Sequence, residues 1–290
     1  MSSFQVLTTV KELRSYLEEA RSAGSSIGLV PTMGFLHEGH ASLINASTDQ
    51  RDVTIVSIYV NPLQFSPDED FSDYPRDISS DLKLCDKHGT DVVFAPSEEE
   101  IKTFFPTTPI HLREVTKTFE GESRPTHFQG VATVVMALFE IVGESHAYFG
   151  EKDFQQLTVV KQLVEDHELP IKIVGCATVR EEDGLAKSSR NVYLSADERS
   201  QSSVLYQALK VGAEAVSRGE TSTQIIESLI RETIETSPLA KIDYVGVVDS
   251  SSFEIPNKIV TEVRLLVACN FGQARLIDNL PAKKKVGSDH

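Results

Sequence analysis

The chain of 290 residues is 40% hydrophobic, which is enough to bury a packed core in one or two domains. Its 43 acidic residues outnumber the 28 lysines and arginines, and the net charge of −15 argues against nucleic acid or an anionic membrane as the main partner. Three widely spaced cysteines, the absence of a signal-like leader and the absence of a long apolar stretch predict a reduced, soluble, cytoplasmic protein.

Helices and strands are predicted to alternate over residues 1–178. Thr9 and Glu12 form a capping-box pattern before a helix whose apolar residues make one stripe. Strands are then predicted at residues 27–31, 53–60, 91–96, 147–149 and 171–174, and further helices at residues 76–88, 131–142 and 154–164. This alternation predicts βαβ units in a mostly parallel sheet, whose ligands bind at the carboxyl ends of the strands.

The pattern changes after about residue 179. Two amphipathic helices, at residues 196–218 and 222–235, precede strands at residues 242–248, 262–268 and 274–277, and the tail from Pro281 is predicted to be disordered. We therefore predict an α/β fold with two domains. A Rossmann-like parallel-sheet domain spans residues 1–178, and a smaller α+β domain spans residues 179–290.

The loop after the strand predicted at residues 27–31 carries the clearest signal for chemistry. His37 and His40 are three residues apart and share one face of a first helical turn, while Gly39 lets another molecule approach the backbone. The helix N-terminus points its positive end at the same place, so the segment predicts an anion site that best fits a nucleoside triphosphate. The candidate ATP-binding residues here are Met33, Gly34, Phe35, Leu36, His37, Glu38, Gly39 and His40.

Two other interpretations of this loop stay open. In the first interpretation, His37 is a buried structural histidine and His40 is an exposed one. In the second, the pair binds zinc, which would require a third and a fourth ligand from elsewhere in the chain.

Six segments, in this order, resemble the pantothenate synthetase (pantoate–β-alanine ligase) family of the nucleotidylyltransferase superfamily. They are PTMGFLHEGH, SIYVNPLQF, DYPRD, FEGESRPTHFQG, FGEKDFQQL and REEDGLAKSSRN, and the resemblance extends from about residue 5 to Leu280. It implies a two-step reaction in which pantoate and MgATP give pantoyl-adenylate and pyrophosphate. β-Alanine then attacks the adenylate and releases pantothenate and AMP. The resemblance also implies a homodimer, in which residues 1–178 bind ATP and pantoate and residues 179–290 cover the site.

The same resemblance assigns roles to individual residues. It makes His40 the proton donor, with His37 beside it, and it places pantoate and β-alanine at Gln64, Gln156 and Asn61. Amides suit a reacting carboxylate, because they orient it without the tight ion pair that an arginine would form. The further ATP-binding residues that it implies are Gly150, Glu151, Lys152, Asp153, Val179, Lys187, Ser188, Ser189 and Arg190.

Several of these residues have a plainer interpretation. Asp153 is predicted to accept from both ribose hydroxyls, but it also fits the N-cap of the next helix. Glu151 is predicted to face solvent, and Lys187 is included for its backbone and not for its charge. Arg124 and His127 lie either on a mobile cover that brings positive charge to the triphosphate or on a plain loop.

Mg²⁺ is expected to enter with ATP, and the metal ligands stay unknown because this ion needs only one or two protein oxygens. Two alternative functions remain. One is a nucleotidylyltransferase of the same superfamily that transfers the nucleotide and stops, and the other is a nucleotide sensor without catalysis.

Overall fold

The computed structural model describes residues 4–66, 69 and 71–285. They form two compact units. The first comprises the chain up to Glu151 together with Gln155–Thr178, and the second comprises Lys152–Phe154 together with the chain from Val179 onward. In the described part of the chain, every helix is too short or too polar to cross a bilayer.

The first unit is built on a six-stranded sheet in which every pairing is parallel, with strand order β1-β4-β3-β2-β5-β6. The strands are β1 (Gln5–Leu7), β2 (Ile27–Thr32), β3 (Val53–Ile58), β4 (Val92–Phe94), β5 (Ser145–Gly150) and β6 (Ile171–Cys176). The helices are α1 (Val10–Ser22), α2 (Glu38–Thr48), α3 (Ile78–Lys87), α4 (Glu98–Lys102), α5 (Glu120–Ser123), α6 (His127–Val142) and α7 (Phe154–Asp166). Short 3-10 turns occur at Pro62–Gln64, Glu114–Lys117 and Glu151–Asp153.

Local sequence explains the elements that position the site. The predicted capping box of α1 is present: the Thr9 side chain accepts from the Glu12 amide, and the Glu12 side chain accepts from the Thr9 amide. Strand β2 lies in the middle of the sheet, paired with β3 and β5, and its residues Ile27, Leu29 and Val30 are buried, as is typical of a parallel strand covered on both faces. Helix α2 packs close to this centre, where the buried hydroxyls of Ser47 and Thr54 are 2.7 Å apart.

The second unit contains an antiparallel sheet of order β7-β8-β9, formed by Lys241–Asp249, Val263–Phe271 and Ala274–Ala282. Its helices are α8 (Ala196–Ser202), α9 (Val204–Ser217) and α10 (Thr223–Ile234), and a 3-10 turn spans Ser189–Tyr193. Leu205, Leu209, Ile226 and Ile230 of α9 and α10 pack with the strands in one core. The predicted fold class, a parallel-sheet α/β domain with a smaller α+β domain, is confirmed. That the first domain binds ATP and pantoate and the second covers the site stays a prediction.

Two predictions for the second unit were wrong in part. The segment predicted as a single helix, residues 196–218, forms two helices separated by Ser203. The Ser202 hydroxyl donates to the Arg199 carbonyl, and hydroxyl bonds of this kind compete with the helical backbone pattern. The last strand continues through Pro281 to Ala282, although disorder was predicted from Pro281. Proline is accommodated because β9 is an edge strand of its sheet, where a missing N–H costs no ladder bond. Residues 286–290 of that tail lie outside the described residues.

Candidate active site

The two histidines of the first loop hold each other at the start of α2. His37 is the N-cap, and its Nδ1 accepts from the Gly39 amide at 3.1 Å. The His40 Nδ1 in turn accepts from the His37 amide at 3.2 Å, and the ring centroids are 4.2 Å apart. Because both Nδ1 atoms accept hydrogen bonds, each neutral ring carries its hydrogen on Nε2. Both rings are half-buried, which does not match the alternative of one buried and one exposed ring.

A buried carboxylate that the sequence analysis missed shapes this loop. Gly34 and Phe35 have φ values of 81° and 50°, and the Asp81 carboxylate accepts from the amides of Phe35 (3.0 Å) and Leu36 (2.6 Å). Burial raises the pKa of Asp81 above its ordinary value. The available signal was its position: Asp81 lies one helical turn before the buried Cys85 on α3, where an acidic residue calls for buried donors.

The structure brings Gln64 together with the histidine loop. Gln64 ends the 3-10 turn after β3, and its Nε2 lies 2.6 Å from the Met33 sulfur. Asn61 caps that turn: its side-chain oxygen accepts from the Leu63 amide at 3.2 Å, and its Nδ2 donates to the Gly130 carbonyl at 2.9 Å and to the Gln64 Oε1 at 3.3 Å. Asn61 therefore holds the turn, whereas the Gln64 amide lies at the histidine loop.

Arg124 and His127 contact the main-chain carbonyl of Gln64. The Gln64 carbonyl accepts from Arg124 Nη2 at 3.2 Å and lies 2.9 Å from His127 Nδ1. The Arg124 guanidinium is paired with Glu69 at 2.6 Å and lies 3.7 Å from Glu120. His127 is buried as the first residue of α6, and this burial lowers its pKa to about 4. Of the two alternatives for this segment, a cover that brings positive charge fails for His127, because the ring is neutral at pH 7.

The buried His127 predicts a pH dependence of stability. Unfolding exposes an imidazole with an ordinary pKa near 6.5, whereas the folded ring has a pKa of about 4. Between these values the unfolded state binds a proton that the folded state does not, so stability falls as pH falls. We expect this residue alone to remove about 3 kcal/mol from the free energy of unfolding between pH 7 and pH 4. Urea unfolding of His127→Gln at both pH values should show that much less acid destabilisation, with the exposed His111→Gln as control. Equal pH slopes in both variants would contradict the assignment.

The Gly150–Asp153 segment begins at the last residue of β5. Glu151–Asp153 form a 3-10 turn, and the Lys152 ammonium lies 3.8 Å from the Asp153 carboxylate. Glu151 is half-buried, and its charge helps to raise the pKa of the Cys176 thiol, after the larger effect of burial. The expectation that Glu151 faces solvent was thus wrong in part, because it lies beside the end of β6.

The two adjacent glutamines of α7 have separate positions. Gln155 is buried: it accepts from the Glu120 amide and donates to the carbonyls of Val115 (2.7 Å) and Thr118 (2.8 Å). Gln156 is half-buried. Since Gln155 is committed to holding the segment before α5, Gln156 is the better candidate for a substrate contact.

The remaining candidate residues lie in the second unit. The Val179 carbonyl accepts from the Lys187 amide at 2.9 Å, and the Lys187 ammonium lies 3.1 Å from the Glu181 carboxylate. Ser188 caps the next 3-10 turn, because its hydroxyl accepts from the Arg190 amide at 3.3 Å. Ser189 is buried as the first residue of that turn.

The described chain contains no group of three His, Cys, Asp or Glu side chains arranged to hold a metal ion. A closed zinc site at the histidine pair would need such a group, so the zinc alternative has no support among these residues.

A parallel sheet whose central strand runs into a glycine turn, paired imidazoles and a helix N-terminus defines a nucleotide-binding α/β protein. Within that class, the family model described as pantoate-beta-alanine ligase matches residues 5–281. The chain belongs to the pantoate–β-alanine ligase family. The family resemblance and the prediction of an ATP-dependent acid–amine ligase are thereby confirmed.

Individual relatives agree over almost the whole length. Pantothenate synthetase from Clostridium botulinum (strain Loch Maree / Type A3) is 46% identical over 96% of this chain and 99% of the relative. The one from Caldicellulosiruptor bescii is 46% identical over 97% and 99%. The crystal structure of pantothenate synthetase from Thermus thermophilus is 42% identical, covers 95% of this chain and 98% of its own, and has a TM-score of 0.88. Pantoate–β-alanine ligase from Francisella tularensis, complexed with β-γ ATP and β-alanine, is 33% identical over 96% and 97%, with a TM-score of 0.79.

Proposed function

We propose that this chain joins pantoate to β-alanine through pantoyl-adenylate, with the imidazole pair at α2 as donors to the ATP phosphates. The observation that carries the proposal is the reciprocal hydrogen bonding of His37 and His40. It uses both Nδ1 atoms as acceptors and therefore puts the ring hydrogens on Nε2. Two N–H donors beside a helix N-terminus suit a triphosphate better than they suit a cation.

In the first step, a carboxylate oxygen of pantoate attacks the α-phosphorus of ATP, and the bond to the pyrophosphate oxygen breaks. The carboxylate is already ionised, so no general base is needed, and the barrier depends on alignment and on stabilising the charge of the phosphoryl oxygens. We assign that stabilisation to His37 and His40, with His40 as proton donor. Gln64 and Gln156 orient pantoate, and Asn61 holds the turn that presents Gln64.

The other nucleotide contacts are assigned to two segments of the second unit and their neighbours. Lys152 meets a phosphate as a point charge, and Asp153 accepts from the ribose hydroxyls. The backbone of Val179 contacts the adenine, and Ser188, Ser189 and Arg190 donate to the departing pyrophosphate. Further contacts are assigned to Met33, Gly34, Phe35, Leu36, Glu38, Gly39, Gly150, Glu151 and the backbone of Lys187.

Magnesium is proposed to arrive with ATP. Such an ion needs only one or two protein oxygens besides phosphate oxygens and water. When bound, the ion neutralises phosphate charge, and we assign it no protein ligand.

In the second step, the unprotonated amine of β-alanine attacks the acyl carbon of the adenylate. The bond from that carbon to the phosphate oxygen breaks, AMP leaves with the electron pair, and the amine loses a proton. The products are pantothenate and AMP. The chain is proposed to work in the cytoplasm as a homodimer. Its free cysteines suit a reducing compartment, and light scattering on the purified chain would test the dimer.

The reaction predicts a specific pattern of products. Isotope exchange between pyrophosphate and ATP should require pantoate and should not require β-alanine, because the first step is reversible and precedes the amine. AMP should accumulate only when β-alanine is also present. A stable adenylylated product without any amine would indicate a nucleotidylyltransferase. ATP binding without pyrophosphate exchange would indicate a nucleotide sensor.

A further inference from the structure

The Lys152–Phe154 segment is held by the last strand of the chain. Although it follows β5 of the parallel sheet, the segment belongs to the second compact unit. Asn279 of β9 donates from Nδ2 to the Lys152 carbonyl at 2.7 Å. Asn279 is only 3% exposed, so water competes little for this hydrogen bond.

A buried arginine fixes which end of the Asn279 amide faces Lys152. Arg264 of β8 donates from Nη1 to the Asn279 Oδ1 at 3.0 Å, so the oxygen is turned toward the guanidinium and the NH₂ group toward the Lys152 carbonyl. The same guanidinium lies over the Phe154 ring, 4.1 Å from its centroid. Arg264 therefore supports the segment both through Asn279 and through Phe154.

A second arginine fixes the backbone of Asn279. Arg180 donates to both carboxylate oxygens of the buried Asp278, at 2.6 and 2.9 Å, and to the Asn279 carbonyl at 3.2 Å. The Asp278 carboxylate also accepts from the Asn279 amide at 2.7 Å. Bidentate pairing of this kind fixes position as well as charge. The side chain and the main chain of Asn279 are thus both constrained.

We propose that Asn279 is a positioning residue for ATP, acting through the main-chain carbonyl of Lys152. The inference rests on the proposed function, in which the Lys152 ammonium meets a phosphate. The lysine ammonium sits on a flexible four-carbon stem, so the position and direction of its backbone set the region that the charge can reach. Fixing the Lys152 carbonyl limits that region, and a misplaced ammonium makes a weaker contact with the phosphate, which raises the KM for ATP.

The test is Asn279→Asp, which keeps the size of the side chain and an oxygen for Arg264. It replaces the donor to the Lys152 carbonyl by a second oxygen. We expect the KM for ATP to rise about tenfold, with the KM for pantoate changed by less than about twofold. Asn257→Asp, on an exposed bend of the same unit, is the matched control for the added charge. Equal increases in both KM values would indicate a general structural role and would overturn the proposal.

A double-mutant cycle with Lys152→Ala shows whether Asn279 acts through Lys152. If it does, the double variant should have nearly the same KM for ATP as Lys152→Ala alone, because there is no longer a charge to position. Additive effects would overturn this inference and leave the proposed function intact. An unchanged KM for ATP in Lys152→Ala itself would contradict the phosphate role of that lysine, and this inference with it.

A neutral variant controls for misfolding of the chain that the added carboxylate could cause. Asn279→Ser is shorter, so its hydroxyl does not span the distance to the Lys152 carbonyl, and it places no new charge beside Asp278. The same selective rise in the KM for ATP is expected, with a circular dichroism spectrum like that of the parent chain. A folded Asn279→Ser with unchanged KM for ATP would overturn the proposal.

Discussion

Replacing His40 by alanine is expected to slow adenylate formation about a hundredfold or more, because the transition state then loses a donor to the phosphoryl oxygens. The donor in question is the Nε2–H that the hydrogen bond from the His37 amide to the His40 Nδ1 implies. Pantoate-dependent exchange between pyrophosphate and ATP measures this step without the amine. Near-normal exchange in His40→Ala would remove His40 from the mechanism.

Alanine also removes a helix cap, so a second variant must separate the two effects. His40 occupies the N3 position of a reciprocal cap, where glutamine ordinarily reaches back to the N-cap amide. His40→Gln is therefore expected to keep the free energy of unfolding close to that of the parent chain while losing the imidazole. Its exchange rate should still fall well below that of the parent chain, because a glutamine amide can donate a hydrogen bond but cannot give up a proton as an imidazole does. The exposed His111→Ala is the control for loss of an imidazole elsewhere.

An alanine at Gly130 is expected to destabilise the fold by about 1–3 kcal/mol and to weaken pantoate binding. Gly130 lies on α6, against the turn that carries Gln64. A Cβ there would be 2.2 Å from the Leu63 carbonyl oxygen and 2.6 Å from the Gln64 amide nitrogen. Because both are main-chain atoms, the turn must move away from the helix and take the Gln64 side chain with it. Urea unfolding and the KM for pantoate measure the two effects.

The sign of the stability change decides this prediction. At a helical glycine without such a contact, alanine ordinarily stabilises a protein by about 0.4–1 kcal/mol, because it restricts the unfolded chain. A Gly130→Ala variant that is as stable as the parent would show that the turn is not packed against α6 as described. The KM for ATP serves as the internal control and is expected to change less than that for pantoate.

The pattern of apolar and polar residues predicted the secondary structure wherever local sequence alone determines it. The apolar run at residues 53–60 became β3 (Val53–Ile58), and the capping-box residues Thr9 and Glu12 begin α1 as expected. Strand β1 was missed because it has only three residues, and one of them, Val6, is 43% exposed. This strand forms because it pairs with β4, and no pattern in the local sequence indicates that pairing.

The geometry of the candidate site was predictable where its residues are neighbours in sequence. His37 and His40 are three residues apart, so helical geometry alone places their rings together. Asp81 and Asn279 were missed for the opposite reason. Asp81 accepts from amides 45 and 46 residues before it, and Asn279 donates to a carbonyl 127 residues before it. Contacts of that separation depend on tertiary packing, which a single sequence does not display.

The attachment of Lys152 to Asn279 has a consequence for biosynthesis. The ribosome synthesises the chain from its N-terminus, so Lys152 emerges 127 residues before its partner Asn279. A nascent chain that has already folded its parallel sheet still lacks the donor for the Lys152 carbonyl. A message truncated before β9 would therefore yield a product without this hydrogen bond, and the Lys152 segment reaches its final hydrogen bonding only at the end of translation.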